Sequence, residues 1–156
     1  MAAVADETLA PIRLDGMAVH RLAVAGRLLR SRADADLSDL GVGGPGIGVL
    51  LRLVEEDGLT QADLSRRQRV EAPSMCRLVD RLERDGLVER RADPGDRRAT
   101  RVHISAEGRR VAEVGAEVVE SLERSAFAGL DRDERRVLNE LLGRVLDGLA
   151  PGGAPS

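Results

Sequence analysis

The 156 residues include one cysteine, one aromatic residue and no lysine. A lone Cys76 can form no disulfide within the chain, which argues against a disulfide-stapled secreted domain. With Phe127 as the single aromatic and no Trp or Tyr, stacking on flavins, sugars or single-stranded bases is a poor reading of function. No basic stretch and apolar run open the chain as in a signal peptide, and no apolar run is long enough to cross a bilayer. A cytoplasmic protein with no membrane contact is therefore expected. One Cys and two His are too few for a zinc site, and no cofactor or metal is expected. All 24 basic residues are Arg, which reads as the composition bias of a GC-rich genome rather than a demand for guanidinium. What remains is ample for folding: 42% hydrophobic and 33% charged residues can form one buried core and a solvated surface, in a chain too short for two full-sized globular units.

The net charge of -3 is unevenly spread. Residues 60–104 hold 11 Arg against 8 acids, and the rest holds 13 Arg against 19, balances of +3 and -6. A basic block within an acidic chain suits a phosphate-binding surface on a soluble body.

Apolar spacing predicts a first helix over Thr8 to Ala33, apolar around much of its circumference, and then a loop from Asp34 to Gly48. Within that loop Gly41-Val42-Gly43-Gly44-Pro45-Gly46 matches GxGxxG by letter. No strand precedes it and Pro45 removes a backbone donor, so a dinucleotide site is rejected. A second helix is expected over Pro45 to Glu56, stopped by Asp57-Gly58. Thr60 with Asp63 three residues on resembles a capping box and starts a short helix. After a turn near Arg69-Val70-Glu71 comes a helix over Ala72 to Asp85, closed by Gly86, and the pair reads as a helix-turn-helix. Leu87 to Arg91 and Thr100 to Ile104 read as a hairpin with its tip at Ala92 to Ala99. Two helices finish the pattern, Ser105 to Ala128 and Arg132 to Leu149, the second capped by Asp131 with Glu134, with a frayed tail from Pro151. Their apolar surface, with that of the first helix, exceeds what one small lobe can cover, so a partner chain is expected.

On the helix after the turn, Met75, Leu78, Val79 and Leu82 fall within about 100° of arc and form a core face. Ser74, Arg77, Arg81 and Arg84 fall within about 80° on another side. Such a stripe fits a major groove, where the guanidinium fork matches guanine O6 and N7. On this helix alone a solvated face with Asp80 and Arg84 paired reads equally well. The hairpin tip decides between them, because gathering Asp96-Arg97-Arg98 at an exposed end does nothing for the fold, whereas a narrow, negative minor groove accepts an Arg. Asp96 is read as orienting Arg98 while Arg97 meets phosphate.

These stretches, Leu59-Thr60-Gln61-Ala62-Asp63-Leu64, Pro73 through Arg90, Asp93-Pro94-Gly95-Asp96-Arg97-Arg98 and Ile104-Ser105-Ala106-Glu107-Gly108, closely resemble the MarR family of winged-helix transcriptional regulators, from about residue 59 to 108. The resemblance implies a mainly α (α+β) fold in a single domain, with a winged helix-turn-helix lobe over 45–104 and dimerisation helices over 8–33 and 105–149. It implies a homodimer on a pseudo-palindromic operator, usually a repressor, with a small-molecule effector in the cleft between lobe and dimer region. Carried over by position, Ser74, Cys76 and Arg77 lie where the recognition helix meets bases and backbone, and Asp96 and Arg98 where the wing enters the minor groove. Gln61, Arg81 and Arg97 are assigned to phosphate. The turn carries Gln68-Arg69 where the family usually shows Leu-Gly.

Other readings are weaker. His103 and Ser105 could suggest a base and nucleophile, but no acid is placed to orient the His, and an enzyme is not expected. Cys76 could act as a redox switch, but the family's peroxide sensors carry their cysteine in the first helix. His20, among apolar residues, reads as packing before ligand binding. The competing class is a winged-helix module gripping an acidic protein partner, which would show no preference among duplexes.

Overall fold

A computed structural model describes residues 14–96 and 99–149. Thr8 to Arg13, Arg97, Arg98 and the tail expected from Pro151 lie outside the described residues. The elements in order are a 3-10 turn at Leu14–Gly16, α1 (Ala18–Asp36), a 3-10 turn at Ser38–Leu40, α2 (Gly44–Glu55), β1 (Leu59–Thr60), α3 (Gln61–Gln68), α4 (Ala72–Arg84), β2 (Val88–Ala92), β3 (Thr100–Ile104), α5 (Ala106–Ala126) and α6 (Arg132–Gly148). This is a winged helix-turn-helix lobe carrying long helices on either side in sequence.

The expected 34–48 loop is more ordered than its glycines suggested. The first helix runs on to Asp36, and Leu37, 1% exposed, anchors the 3-10 turn that follows in the core. Gly41 (φ 63°) then turns the chain in a left-handed conformation, and Pro45 sits in the first turn of α2, where its missing N–H costs nothing. The capping box at Thr60 is fully formed: the Asp63 N–H donates to Thr60 Oγ1 (3.1 Å), and the Thr60 N–H donates to Asp63 Oδ2 (3.3 Å). Asp131 and Glu134 close the same motif on α6.

The core lies inside the lobe. Ile47, Leu50 and Leu53 of α2 meet Leu64 of α3, Met75, Val79 and Leu82 of α4, and Val88 and Val102 of the hairpin, all at most 1% exposed. Each buried side chain of this size contributes about 1.5–3 kcal/mol relative to exposure. β1 adds a third strand that periodicity did not reveal, pairing antiparallel with β3 (Leu59 with Val102) in a sheet of order β1-β3-β2. β2 and β3 pair from Val88 with Ile104 to Ala92 with Thr100, which leaves the tip between them.

Small residues let α5 approach this lobe. Gly108, Ala112 and Gly115 are its buried positions, and a Cβ on Gly108 would lie 2.0 Å from the Leu87 carbonyl oxygen. One on Gly115 would lie 2.7 Å from Ile47 Cδ1. By contrast, neither α1 nor α6 buries any described residue.

Candidate nucleic-acid interface

The turn before α4 is set by Arg69, the only described non-glycine residue with positive φ (52°). Its N–H donates to Ser65 O and Arg66 O, and the Val70 N–H donates to Ser65 O (3.0 Å), a Schellman-type closure of α3. Arg69 thus takes the left-handed conformation a glycine would take there, and the helix-turn-helix keeps its geometry. The other departure, Gln68, packs its carboxamide against Gly48, where a Cβ would lie 3.1 Å from Nε2. Glycine in α2 and glutamine in α3 are therefore one packing solution.

α4 then presents two faces. Met75, Val79 and Leu82 are buried, whereas Cys76, Arg77, Arg81 and Arg84 are exposed and Ser74 is half-buried. The Arg77 guanidinium donates to Ser74 Oγ (3.1 Å), so hydroxyl and fork sit side by side near the start of the helix. Cys76 Sγ lies 3.8 Å from Asp80 Oδ2. Arg81 points back toward the body, donating to the Gly41 carbonyl (2.9 Å). Gln61 opens α3 half-buried, with Nε2 buried and unpartnered.

The expected alternative pairing of Asp80 with Arg84 does not form. Asp80 instead takes Arg90 of β2 (2.5 Å), whose other amino nitrogen pairs with Glu83. Burial of Arg90 opposes its charge, but these two carboxylates overcome it and raise its pKa above the ordinary arginine value. Sequence reading missed this residue. Its only trace was a cation on a strand directly following a helix that carries two acids at i, i+3. The bridge fastens the hairpin to the back of α4.

Toward the tip, the Gly95 N–H donates to Asp93 Oδ1 (2.8 Å), and Arg101 Nε donates to Asp93 Oδ2 (2.5 Å). These two bonds, the backbone one first, hold the Asp93 carboxyl below its usual pKa. Asp96 is exposed and its carbonyl accepts the Ala99 N–H (2.9 Å). The inferred pairing of Asp96 with Arg98, and the role of Arg97, fall outside the described residues.

An acid does orient His103: Asp57 Oδ2 lies 2.9 Å from Nδ1. The catalytic reading fails for another reason, because the Ser105 hydroxyl donates to Gly86 O (2.7 Å) and accepts from the Gly108 N–H (2.9 Å), the work of a helix cap. Among the described residues no His, Cys, Asp and Glu cluster could hold a metal, and no helix is long and apolar enough to cross a membrane.

A profile of the MarR family matches residues 40–99. The uncharacterized HTH-type transcriptional regulator YdgJ of Bacillus subtilis is 30% identical over 97 residues, 62% of this chain. The match spans 59% of that relative's length. The solved structure of a probable transcriptional regulator from Pseudomonas aeruginosa is 30% identical, covering 85% of this chain and 99% of that one with a TM-score of 0.79. The S. aureus MepR–DNA complex, 20% identical, covers 86% of this chain and 98% of that one with a TM-score of 0.79, a likeness of fold. These relatives are regulators rather than enzymes. With profile, fold and the turn-and-wing geometry in agreement, the chain belongs to the MarR family.

Proposed function

We propose that this protein is a sequence-specific double-stranded DNA-binding transcriptional regulator, a homodimeric repressor whose grip on a pseudo-palindromic operator is weakened by a small molecule. Residues 45–104 serve as the DNA-binding lobe, and α1, α5 and α6, in place of the helices expected over 8–33 and 105–149, serve dimerisation. The observation that carries the reading is α4, which buries Met75, Val79 and Leu82, packs the half-buried Leu78 against the core, and exposes Cys76 and Arg77 beside Ser74 while Arg90 fastens a wing to it. Ser74, Cys76 and Arg77 read bases and adjoining backbone in the major groove. Asp96 and Arg98 serve the minor groove, and Gln61, Arg81 and Arg97 serve phosphate. The effector enters the cleft between lobe and terminal helices, and the cell compartment is the cytoplasm.

Binding to a library of random duplexes, followed by recovery of the retained sequences, tests this reading. Enrichment of a two-fold symmetric site is expected, with half-sites about 34–36 Å apart. Arg77→Ala should lower the preference for that site over random duplex by about 5- to 150-fold, the worth of one bidentate base contact. It should leave non-specific binding and its steep salt dependence in place. Unchanged selectivity in the variant removes Arg77 from the readout, and a wild-type protein indifferent to every duplex removes the DNA-binding function.

A further inference from the structure

Arg69 is poorly suited to the place it occupies. A left-handed backbone is strained for any residue with a Cβ, and glycine would satisfy the turn without that cost. Its side chain, however, reaches 77 and 78 residues along the chain. Nη1 donates to the Leu146 carbonyl (2.7 Å), and Nη2 donates to Asp147 Oδ1 (2.8 Å). Both acceptors lie in the last turn of α6, whose final carbonyls have no donor within the helix. That turn contains an acid and no base of its own, an arrangement opposed by the helix dipole. The guanidinium from the helix-turn-helix supplies both the missing donor and the missing positive charge. Around this clasp Val70, Ala72, Leu146 and Leu149 line an open groove of about 1030 Å³, so packing does not fix the two elements here.

We propose that Arg69 is a positioning residue that ties the start of the recognition helix to the end of α6, and so sets the separation of the two recognition helices in the dimer without touching DNA. Ala72, the first residue of α4, follows Arg69 closely, leaving little chain to absorb a change in α6. The inference rests on the DNA-binding homodimer proposed above.

Arg69→Gly in the full chain separates the two uses of this residue, because it relieves the backbone strain and removes only the clasp. The readout is affinity for the recovered operator at its native half-site spacing and with one or two base pairs inserted or removed at the centre. Wild type should lose about tenfold or more with each change of spacing, since each added pair both displaces and rotates a half-site. Arg69→Gly should flatten that penalty to about threefold or less while keeping the wild-type salt slope. Its melting temperature should equal or exceed wild type. Asp147→Ala, which leaves the bond to the Leu146 carbonyl, should flatten the profile part of the way, and combining the two should match Arg69→Gly alone. A variant that keeps the wild-type spacing profile overturns the inference. So does a salt slope lowered by about one, which would make Arg69 a phosphate ligand. If wild type binds no duplex, the underlying reading falls with the inference, and the separate wild-type arm reveals it.

Discussion

Asp57 joins the loop after α2 to the last wing strand, accepting from the Ile104 N–H (2.8 Å) and facing His103 Nδ1 (2.9 Å). Burial raises its pKa, but the His103 hydrogen bond, the Ile104 N–H and the His103 charge together leave it below the ordinary 3.8. A carboxylate depressed on folding contributes stability above its unfolded value and loses it as pH falls through the folded one. Asp57→Asn, which resembles the protonated acid in shape, should therefore lower stability at pH 7, by about 0.5 kcal/mol once solvent screening of a carboxylate 38% exposed is allowed for. The gap should close in acid, once the pH has fallen through the folded value. Urea titrations of both proteins in the two conditions check this, and a gap that persists in acid would place the effect in packing rather than charge. Asp57, Arg69 and Arg90 share a reason for escaping sequence reading: each finds its partner through tertiary approach, across 46 or more positions for Asp57 and 77 for Arg69. Arg77 and Ser74 could be read because one helical turn separates them and the apolar face beside them fixes which way they point.

At the scale of elements, local chemistry was readable and long-range pairing was not. Thr60 with Asp63 and Asp131 with Glu134 announce helix starts within three positions, and both boxes are formed as spelled. The 3.6-residue spacing of Met75, Val79 and Leu82 likewise gave the buried face of α4. β1, with only Leu59 and Thr60, is too short for any alternation and exists because β3 offers an edge to it. The turn at Ser38–Leu40 was hidden by neighbouring glycines, since nothing local marks Leu37 as a core residue. The seat of α5 was hidden as well, because glycine in a helix ordinarily reads as weakness. Here it is a contact surface. Gly108→Ala would drive a methyl into the Leu87 carbonyl, which also accepts the Ser105 N–H (3.0 Å) at the junction of wing and helix. Backbone cannot yield as a flexible side chain can, so the variant should lose about 3 kcal/mol, despite alanine's better helix propensity. Chemical denaturation would check it, and a variant as stable as wild type would mean that α5 can move off the wing freely.

For the molecule as a whole, α6 sets the question of assembly. Val137, Leu141 and Val145 recur every four residues along it and are 43%, 48% and 44% exposed, while α6 buries no described residue. Val114 and Val119 of α5 and Val19, Leu22 and Leu28 of α1 are exposed in the same way. Apolar helical faces of this extent mark an association surface, and in the homodimer proposed above a second copy would cover like with like under two-fold symmetry. Under that proposal two lobes on one body would bind adjacent half-sites, with the second contact effectively intramolecular. Leu141→Glu places a charge in the middle of that surface while leaving every residue of the lobe core untouched. It should sediment as a monomer at micromolar concentration, retain its helical circular dichroism, and lose about 10²- to 10⁴-fold in operator affinity through lost avidity. On a single half-site the variant and wild type should differ little, because Arg77 and the wing are intact in each lobe. A Leu141→Glu protein that remains dimeric would move the subunit contact away from α6, and a monomer that grips the full operator as tightly as wild type would show that one lobe suffices.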